Sequence, residues 1–280
     1  MQSIKRILFP VEFSGACENA AAHVAFWARV FNAEVVLMHV DVRPVMAMEG
    51  IVWEPETESS RERLNQFLVK EFEGLKLQRV LRTGDPAVEI IQYVRNETAD
   101  LIMMPTHGMG LFRRFIIGSV TAKVLHDAPC PVWTSAHVRE WRPPAVPNLS
   151  QVLCAVDLDD AGIHTLRYAG AFASTAGAKL TVAHVVPAVE TIPEAYLDRD
   201  LRADLIAAAT DRLAEMQAIA GTTGVPCVGA GNIGQYIGYA AQSHNASLVI
   251  IGRGKKGALG RLRTHDYSII RECACPVLSI

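Results

Sequence analysis

CxxC cysteine pairs, long apolar runs and an excess of one charge are all missing from this 280-residue chain. No apolar stretch reaches about 18 residues without a charge, which excludes a hydrophobic membrane-spanning helix from the reading. Lysine and arginine number 27 against 29 acidic residues, a net charge of −2. That balance offers no global field for attracting nucleic acid or a membrane surface. The six cysteines contain no CxxC, and a chain of this size needs no disulfide staples. Cys273 and Cys275 form the one close pair, and without a second Cys/His pair nearby the spacing argues against a metal. GxSxG, HExxH, GxxxxGK[ST] and paired carboxylates at suggestive spacing are absent, as are the HxGH and SGGxDS signatures of nucleotidyl transfer, so nothing demands catalysis. The opening Met1–Arg6 leads into a strand-like block with no signal-peptide core, and a cytoplasmic protein is expected.

What the chain does contain is itself, twice. Ile7-Leu8-Phe9-Pro10-Val11-Glu12 returns as Val152-Leu153-Cys154-Ala155-Val156-Asp157, His39-Val40 as His184-Val185, and Cys130-Pro131-Val132 as Cys275-Pro276-Val277. All three matches keep an offset of 145, which slips to 147 between the last two, as in Gly84 and Gly231. Register held at both ends implies an internal duplication. Domains are expected at 1–137 and 151–280, joined by a proline-rich linker at 138–150. Each half is long enough to bury its own core.

Within each half, apolar runs alternate with helical patterns. Strands are expected near 6–11, 34–40, 77–83, 100–105 and 130–135, and near 151–156, 179–185, 226–230, 247–251 and 276–280. Continuous apolar runs imply burial on both faces, hence parallel sheets. Helices are expected after Ser14 as N-cap, then at 56–73, 86–98 with Pro86 in the first turn, and 118–127. The fold class is therefore α/β: two tandem, doubly wound, five-stranded parallel sheets. Such sheets bind ligands beyond the strand carboxyl ends where strand order reverses, here after the first and fourth strands.

The pointed segment of the first half is Pro105-Thr106-His107-Gly108-Met109-Gly110, followed by Gly118-Ser119-Val120-Thr121. Glycine lets backbone amides approach an anion, and a helix N-terminus adds unpaired N–H groups, so phosphate is the expected guest. Ser119 and Thr121 offer hydroxyls, and Arg113 or Arg114 charge. The competing reading is that Gly108 and Gly110 shape a turn while Ser119 caps a helix.

These residues resemble a family. Ile7 through Ser14, His39-Val40, Gly84-Asp85-Pro86-Ala87, Ala99 through Gly108, Gly118-Ser119-Val120 and Ala128 through Val132 are similar, end to end, to the universal stress protein domain, a Rossmann-like, adenine nucleotide alpha hydrolase-like fold. The second half resembles it at Val152 through Asp157, His184-Val185, Leu248 through Gly254 and Cys275 through Leu278. ATP-binding members carry G-x2-G-x9-G-[S/T] and an aspartate ending the first strand. The resemblance thus implies ATP or another adenine nucleotide, with Mg accompanying it, placed by Pro10, Val11, Glu12 and Val40 at the base. Pro105, Thr106, His107, Gly108, Gly118, Ser119, Val120 and Thr121 would hold ribose and phosphates. Nine residues separate Gly108 from Gly118, as the motif requires. Pro105 stands where the first glycine belongs and removes an amide donor, and Glu12 replaces the aspartate.

The second half departs differently. Asp157 and Gly252 restore the aspartate and first glycine, but Lys255 replaces the second glycine and Arg263-Thr264 the Gly-Ser. A weaker second site would comprise Asp157, Val185, Gly252, Arg253, Gly254, Arg263 and Thr264, with basic charge substituting for amides. Gly229-Ala230-Gly231-Asn232-Ile233-Gly234 spells GxGxxG, but follows the third strand of its unit and lacks the downstream acid of a dinucleotide site. His39 and His184, at strand ends, are read as structural. Met46, Met48, Ile51 and Trp53 make the stretch after the second strand unusually apolar for a loop.

The implied function is a stress-response module that binds an adenine nucleotide in at least one domain, hydrolyses ATP weakly at most, and acts through conformation or an unidentified protein partner. Dimerisation through the terminal strands is implied too, either between the two halves as an intramolecular pseudo-dimer or between chains as a homodimer. The alternative is an interaction scaffold with degenerate sites that binds no nucleotide.

Overall fold

The computed structural model describes residues 4–42, 57–106, 117–136, 149–186, 199–253 and 264–280. The chain forms two compact units, built on Gln2–Trp133 and on Asn148–Ile280. The first contains β1 (Arg6–Val11), α1 (Gly15–Phe31), β2 (Glu34–Asp41), α2 (Thr57–Gln66), β3 (Leu77–Thr83), α3 (Pro86–Glu97), β4 (Leu101–Met103), α4 (Ser119–Asp127) and β5 (Val132–Thr134). The second contains β6 (Gln151–Ala155), α5 (Asp160–Ala176), β7 (Lys179–Val186), α6 (Arg199–Ala220), β8 (Val225–Ala230), α7 (Ile233–Ser243), β9 (Leu248–Ile251), α8 (Thr264–Glu272) and β10 (Val277–Ser279).

Every strand pairing within the units is parallel, in the order β3-β2-β1-β4-β5 and β8-β7-β6-β9-β10. The order reverses beside the first strand of each unit, so the carboxyl ends of β1 and β4, and of β6 and β9, open onto a crevice. Burial of Ile7, Leu8 and Phe9 is complete, because helices cover both sheet faces. The stripe Ala20, Ala21, Val24 and Ala25 of α1 is buried at helical spacing. Both first helices end in a left-handed residue, Asn32 at φ 50° and Gly177 at φ 67°, which stand at the same repeat position.

The third helices also start alike. Asp85 accepts from the Val88 amide at 2.9 Å and Asn232 from that of Gln235 at 3.1 Å. At the opposite sheet edge, Asp100 Oδ2 accepts from the Lys5 and Arg6 amides at 2.8 and 2.9 Å. Ser247 takes over that task in the second unit, accepting from the Gln151 amide at 3.2 Å and donating to its carbonyl at 2.9 Å. The frame repeats while the side chains that brace it change.

Two expectations are corrected. The helix over 56–73 stops at Gln66, and turns follow, with Leu68 at φ 56° and Gly74 at φ 77°. Arg79 intercepts the helix end by donating to the Leu64 and Phe67 carbonyls at 2.8 and 3.1 Å. The turned chain buries Phe72 edge-on against Phe9, with ring centroids 6.2 Å apart. Ser14 occupies the N-cap position of α1, but its side chain does not cap the helix. The expected linker at 138–150, apart from its last two residues, lies outside the described residues, as does the apolar stretch Met46–Trp53.

Candidate functional site

In the first unit a cavity of about 510 Å³ opens at the carboxyl ends of β1, β2 and β4. Pockets of roughly 300–1,000 Å³ hold small organic ligands. Pro10, Val11, Glu12 and Val40 line one side, and Pro105 with Gly118, Ser119, Val120 and Thr121 lines the other. Thr106 is fully buried and holds the rim, its carbonyl accepting from the Gly118 amide at 2.8 Å. His107 and Gly108 lie outside the described residues, as do Gly110, Arg113 and Arg114.

The helix α4 begins at this cavity with Gly118 as its N-cap and no capping side chain. Its first-turn amides therefore face the cavity without a side-chain acceptor, and the dipole favours an anion there. Thr121 turns its hydroxyl back to the Pro105 carbonyl, 3.2 Å away. Gly118 has an ordinary φ of −59°, and an added Cβ would meet its nearest neighbour, the Thr106 carbonyl, at 3.4 Å. Neither backbone conformation nor crowding by the described residues requires glycine at this place.

Around the β1 and β2 ends the cavity is bordered by His39 and Asp41, with further side chains packed behind them. His39 donates from Nδ1 to the Val11 carbonyl at 2.7 Å, tying β1 to β2. His184 makes the same bond to Val156 at 2.8 Å, which accounts for the recurring histidine. Phe13, just past β1, adopts φ 58°, a conformation that side chains bearing a Cβ rarely take. Its ring lies 4.2 Å from that of His39 and 5.2 Å from that of Phe67, and the Arg63 guanidinium sits 4.4 Å above it. Asp41 lines the cavity and accepts from the Ser60 hydroxyl at 2.7 Å, with His39 Nε2 at 3.3 Å. Ser60 and His39 both address Asp41 rather than each other, so the histidine is not placed to take the serine proton. Cys17 also lines the cavity, and burial pushes its thiol pKa up. Asp41 stood in view at a strand end, whereas no local signal announced the left-handed Phe13.

The second unit brings Asp157, Val185, Gly252 and Arg253 together at its own sheet edge, around a cavity of about 70 Å³. Gly254 and Arg263 lie outside the described residues, as do Lys255 and Lys256, and Thr264 opens α8. Two glycines at this edge are set by packing. A Cβ on Gly162 would collide with the Asp157 carbonyl oxygen, so α5 closes directly onto the end of β6. A Cβ on Gly252 would collide with Thr165 Oγ1, which is itself bonded to the Ala161 carbonyl at 3.1 Å. Protein packing alone therefore requires Gly252. The GxGxxG run is explained the same way: Tyr236 fills the space beside Gly229, Gly231 adopts φ 129°, and Ser268 Oγ would lie 2.6 Å from a Cβ on Gly234. Among the described residues no group of three His, Cys, Asp or Glu could hold a metal ion, and all six cysteines are free.

A pair of doubly wound parallel α/β units, one with a ligand-sized cleft at its switch point, defines a tandem doubly wound α/β protein. The universal stress protein family model matches residues 3–135 and again 148–280, and the chain belongs to that family. It is 35% identical over 136 residues to universal stress protein MJ0531 of Methanocaldococcus jannaschii, covering 46% of this chain and 79% of that one. It is 33% identical over 135 residues to a universal stress protein of Thermus aquaticus, covering 46% of this chain and 96% of the relative. A solved universal stress protein from Archaeoglobus fulgidus superposes with a TM-score of 0.71, covering 99% of this chain and 96% of its own at 21% identity. That structure supports the fold of both units. No helix among the described residues is long and apolar enough to cross a membrane.

Proposed function

We propose that the protein binds an adenine nucleotide, ATP in the first instance, in the first unit, and acts through the conformation this sets or the partners it presents. The observation that carries the reading is Gly118. It lines a 510 Å³ cavity at an uncapped helix start, and neither its φ nor its neighbours among the described residues demand the missing side chain. Close approach of a ligand to the α4 amides is the remaining reason for glycine. The apolar wall of Met38, Ile90 and Met104 suits a base, and the carboxylate of Glu12 suits the nucleoside end rather than the phosphates, which it would repel.

Mg²⁺ would arrive on the phosphates, since the described residues offer it no ligand cage. Among the described residues no base is placed against a nucleophile, which supports at most weak ATP hydrolysis. The 70 Å³ cavity of the second unit is too small for a nucleotide, so one site per chain is proposed.

Calorimetric titration of the full chain with Mg-ATP tests this. One site is expected, abolished by Gly118→Glu with the melting temperature unchanged. A flat titration to millimolar nucleotide would remove the reading and leave the interaction scaffold, which mass spectrometry of ligands released from cell-purified protein would corroborate by finding none.

A further inference from the structure

Ser14 and Asp159 occupy one repeat position, each just before the first helix of its unit, and they do opposite things. Asp159 accepts from the Gly162 amide at 2.9 Å and caps α5. Ser14 has the backbone of an N-cap, at φ −93° and ψ 159°, yet bonds none of the first-turn amides of α1. Its hydroxyl lies 3.1 Å from Glu12 Oε1 instead and donates to that carboxylate. A serine at this place ordinarily serves the helix. Here it serves the residue at the mouth of the cavity.

The surroundings agree with that use. Ser14 is only 7% exposed, whereas Glu12 is exposed and lines the cavity. A hydroxyl carries one proton, and a carboxylate acceptor holds it more strongly than a thioether-like sulfur does. Cys17 Sγ, 3.6 Å from Ser14 Oγ, is the second and weaker acceptor open to that hydroxyl. A chain runs from Cys17 through Ser14 to Glu12 along the cavity wall. The second unit lacks every link: Gly162 stands at the repeat position of Cys17, and Asp159, an acceptor when ionised, cannot donate to Asp157.

We propose that Ser14 is the positioning residue for Glu12: it folds back the long glutamate side chain so that the second carboxylate oxygen meets hydrogen-bond donors on the nucleoside part of the ligand. This rests on the nucleotide reading of the first unit. Glutamate has one more rotatable bond than aspartate at the strand end, and the bond from Ser14 removes the freedom that the extra methylene adds.

The test is a double-mutant cycle on the full chain, with Mg-ATP titrated into wild type, Ser14→Ala, Ser14→Thr, Glu12→Ala and the double variant. Ser14→Ala is expected to weaken ATP binding about tenfold, the order of a hydrogen bond to a charged group. Ser14→Thr keeps the hydroxyl and is expected to restore most of the affinity. In the Glu12→Ala background, loss of the hydroxyl should change nothing further. Unaltered affinity in Ser14→Ala, or the same loss in both backgrounds, would overturn the proposal. So would a drop in the urea midpoint of ligand-free Ser14→Ala of the size a lost helix cap gives, because the hydroxyl would then be serving α1. If wild type itself binds no ATP, the nucleotide reading fails, and the Glu12–Ser14 pairing is decided separately. The three-bond couplings of the Glu12 methylenes in ligand-free protein should then show one rotamer in wild type and averaging in Ser14→Ala, and identical couplings would overturn it.

Discussion

The carbonyl oxygen of Asp157 occupies the space that a Cβ on Gly162 would need, whereas Cys17 stands at the same repeat position in the first unit. The cavities beside these two strand ends measure about 70 and 510 Å³. The obstacle at Gly162 is backbone, which cannot rotate away. Gly162→Ala is expected to destabilise the second unit by about 1–3 kcal/mol, the usual cost of overpacking, and urea unfolding measures it. Stability within about 0.5 kcal/mol of wild type would contradict the close approach.

Gly252 and Gly118 should respond to alanine in opposite ways. Gly252→Ala meets Thr165 Oγ1, which is held by its own hydrogen bond, and is expected to lower the melting temperature. Gly118→Ala meets only the Thr106 carbonyl at 3.4 Å and is expected to leave the melt unchanged while weakening ATP binding. Calorimetry and thermal denaturation on the two variants separate a packing glycine from a ligand glycine.

The Asp85 cap gives a pH signature. Its pKa is held below the ordinary carboxylate value chiefly by the Val88 amide, and Lys123, 3.7 Å away, adds to the effect. Protonation is thus harder in the folded chain than in the unfolded one, where the value is about 3.9. The cap's contribution is complete above that value and fades as pH falls through the depressed folded value. Asp85→Ala should cost about 1 kcal/mol at neutral pH, and its difference from wild type should shrink below about pH 4. A difference that grows on acidification would contradict the assignment.

Thiol alkylation at neutral pH should follow burial. Desolvation pushes the Cys275 thiol up to about 12 and raises those of Cys154 and Cys273, so little reactive thiolate exists at these sites. Cys227, half-buried beside the Tyr236 hydroxyl at 3.6 Å, is expected to react first. Cys17 should react slowly and be slowed further by ATP, because it lines the proposed site. Peptide mapping after timed iodoacetamide treatment reads all six.

The repeat, the strand positions and the switch-point location were legible because they depend on short-range pattern. Apolar runs with ends near Val11 and Val156 place strands, and Asp85-Pro86 and Asn232 announce helix starts by local chemistry. Nine of the first-unit positions implied by the family resemblance, Glu12, Val40 and Gly118 among them, line one cavity. The end of α2 escaped because Arg79, from a later strand, takes the Leu64 and Phe67 carbonyls. The Phe13 ring stack escaped because its left-handed backbone is held by partners at His39, Arg63 and Phe67.

By itself the sequence determined that two α/β units follow one plan, since hydrophobic period and turn residues are properties of neighbouring residues and duplicate with them. The sequence also showed that the two halves depart from the motif differently, and the tertiary structure added the spaces at their sheet edges, about 510 and 70 Å³. Whether a serine caps its helix or holds a glutamate depends on atoms that meet across the fold. Cys17 against Gly162 and Ser14 against Asp159 are small differences in the chain. In a close-packed interior they change which atoms meet, as the bonds of Ser14 to Glu12 and of Asp159 to the Gly162 amide show.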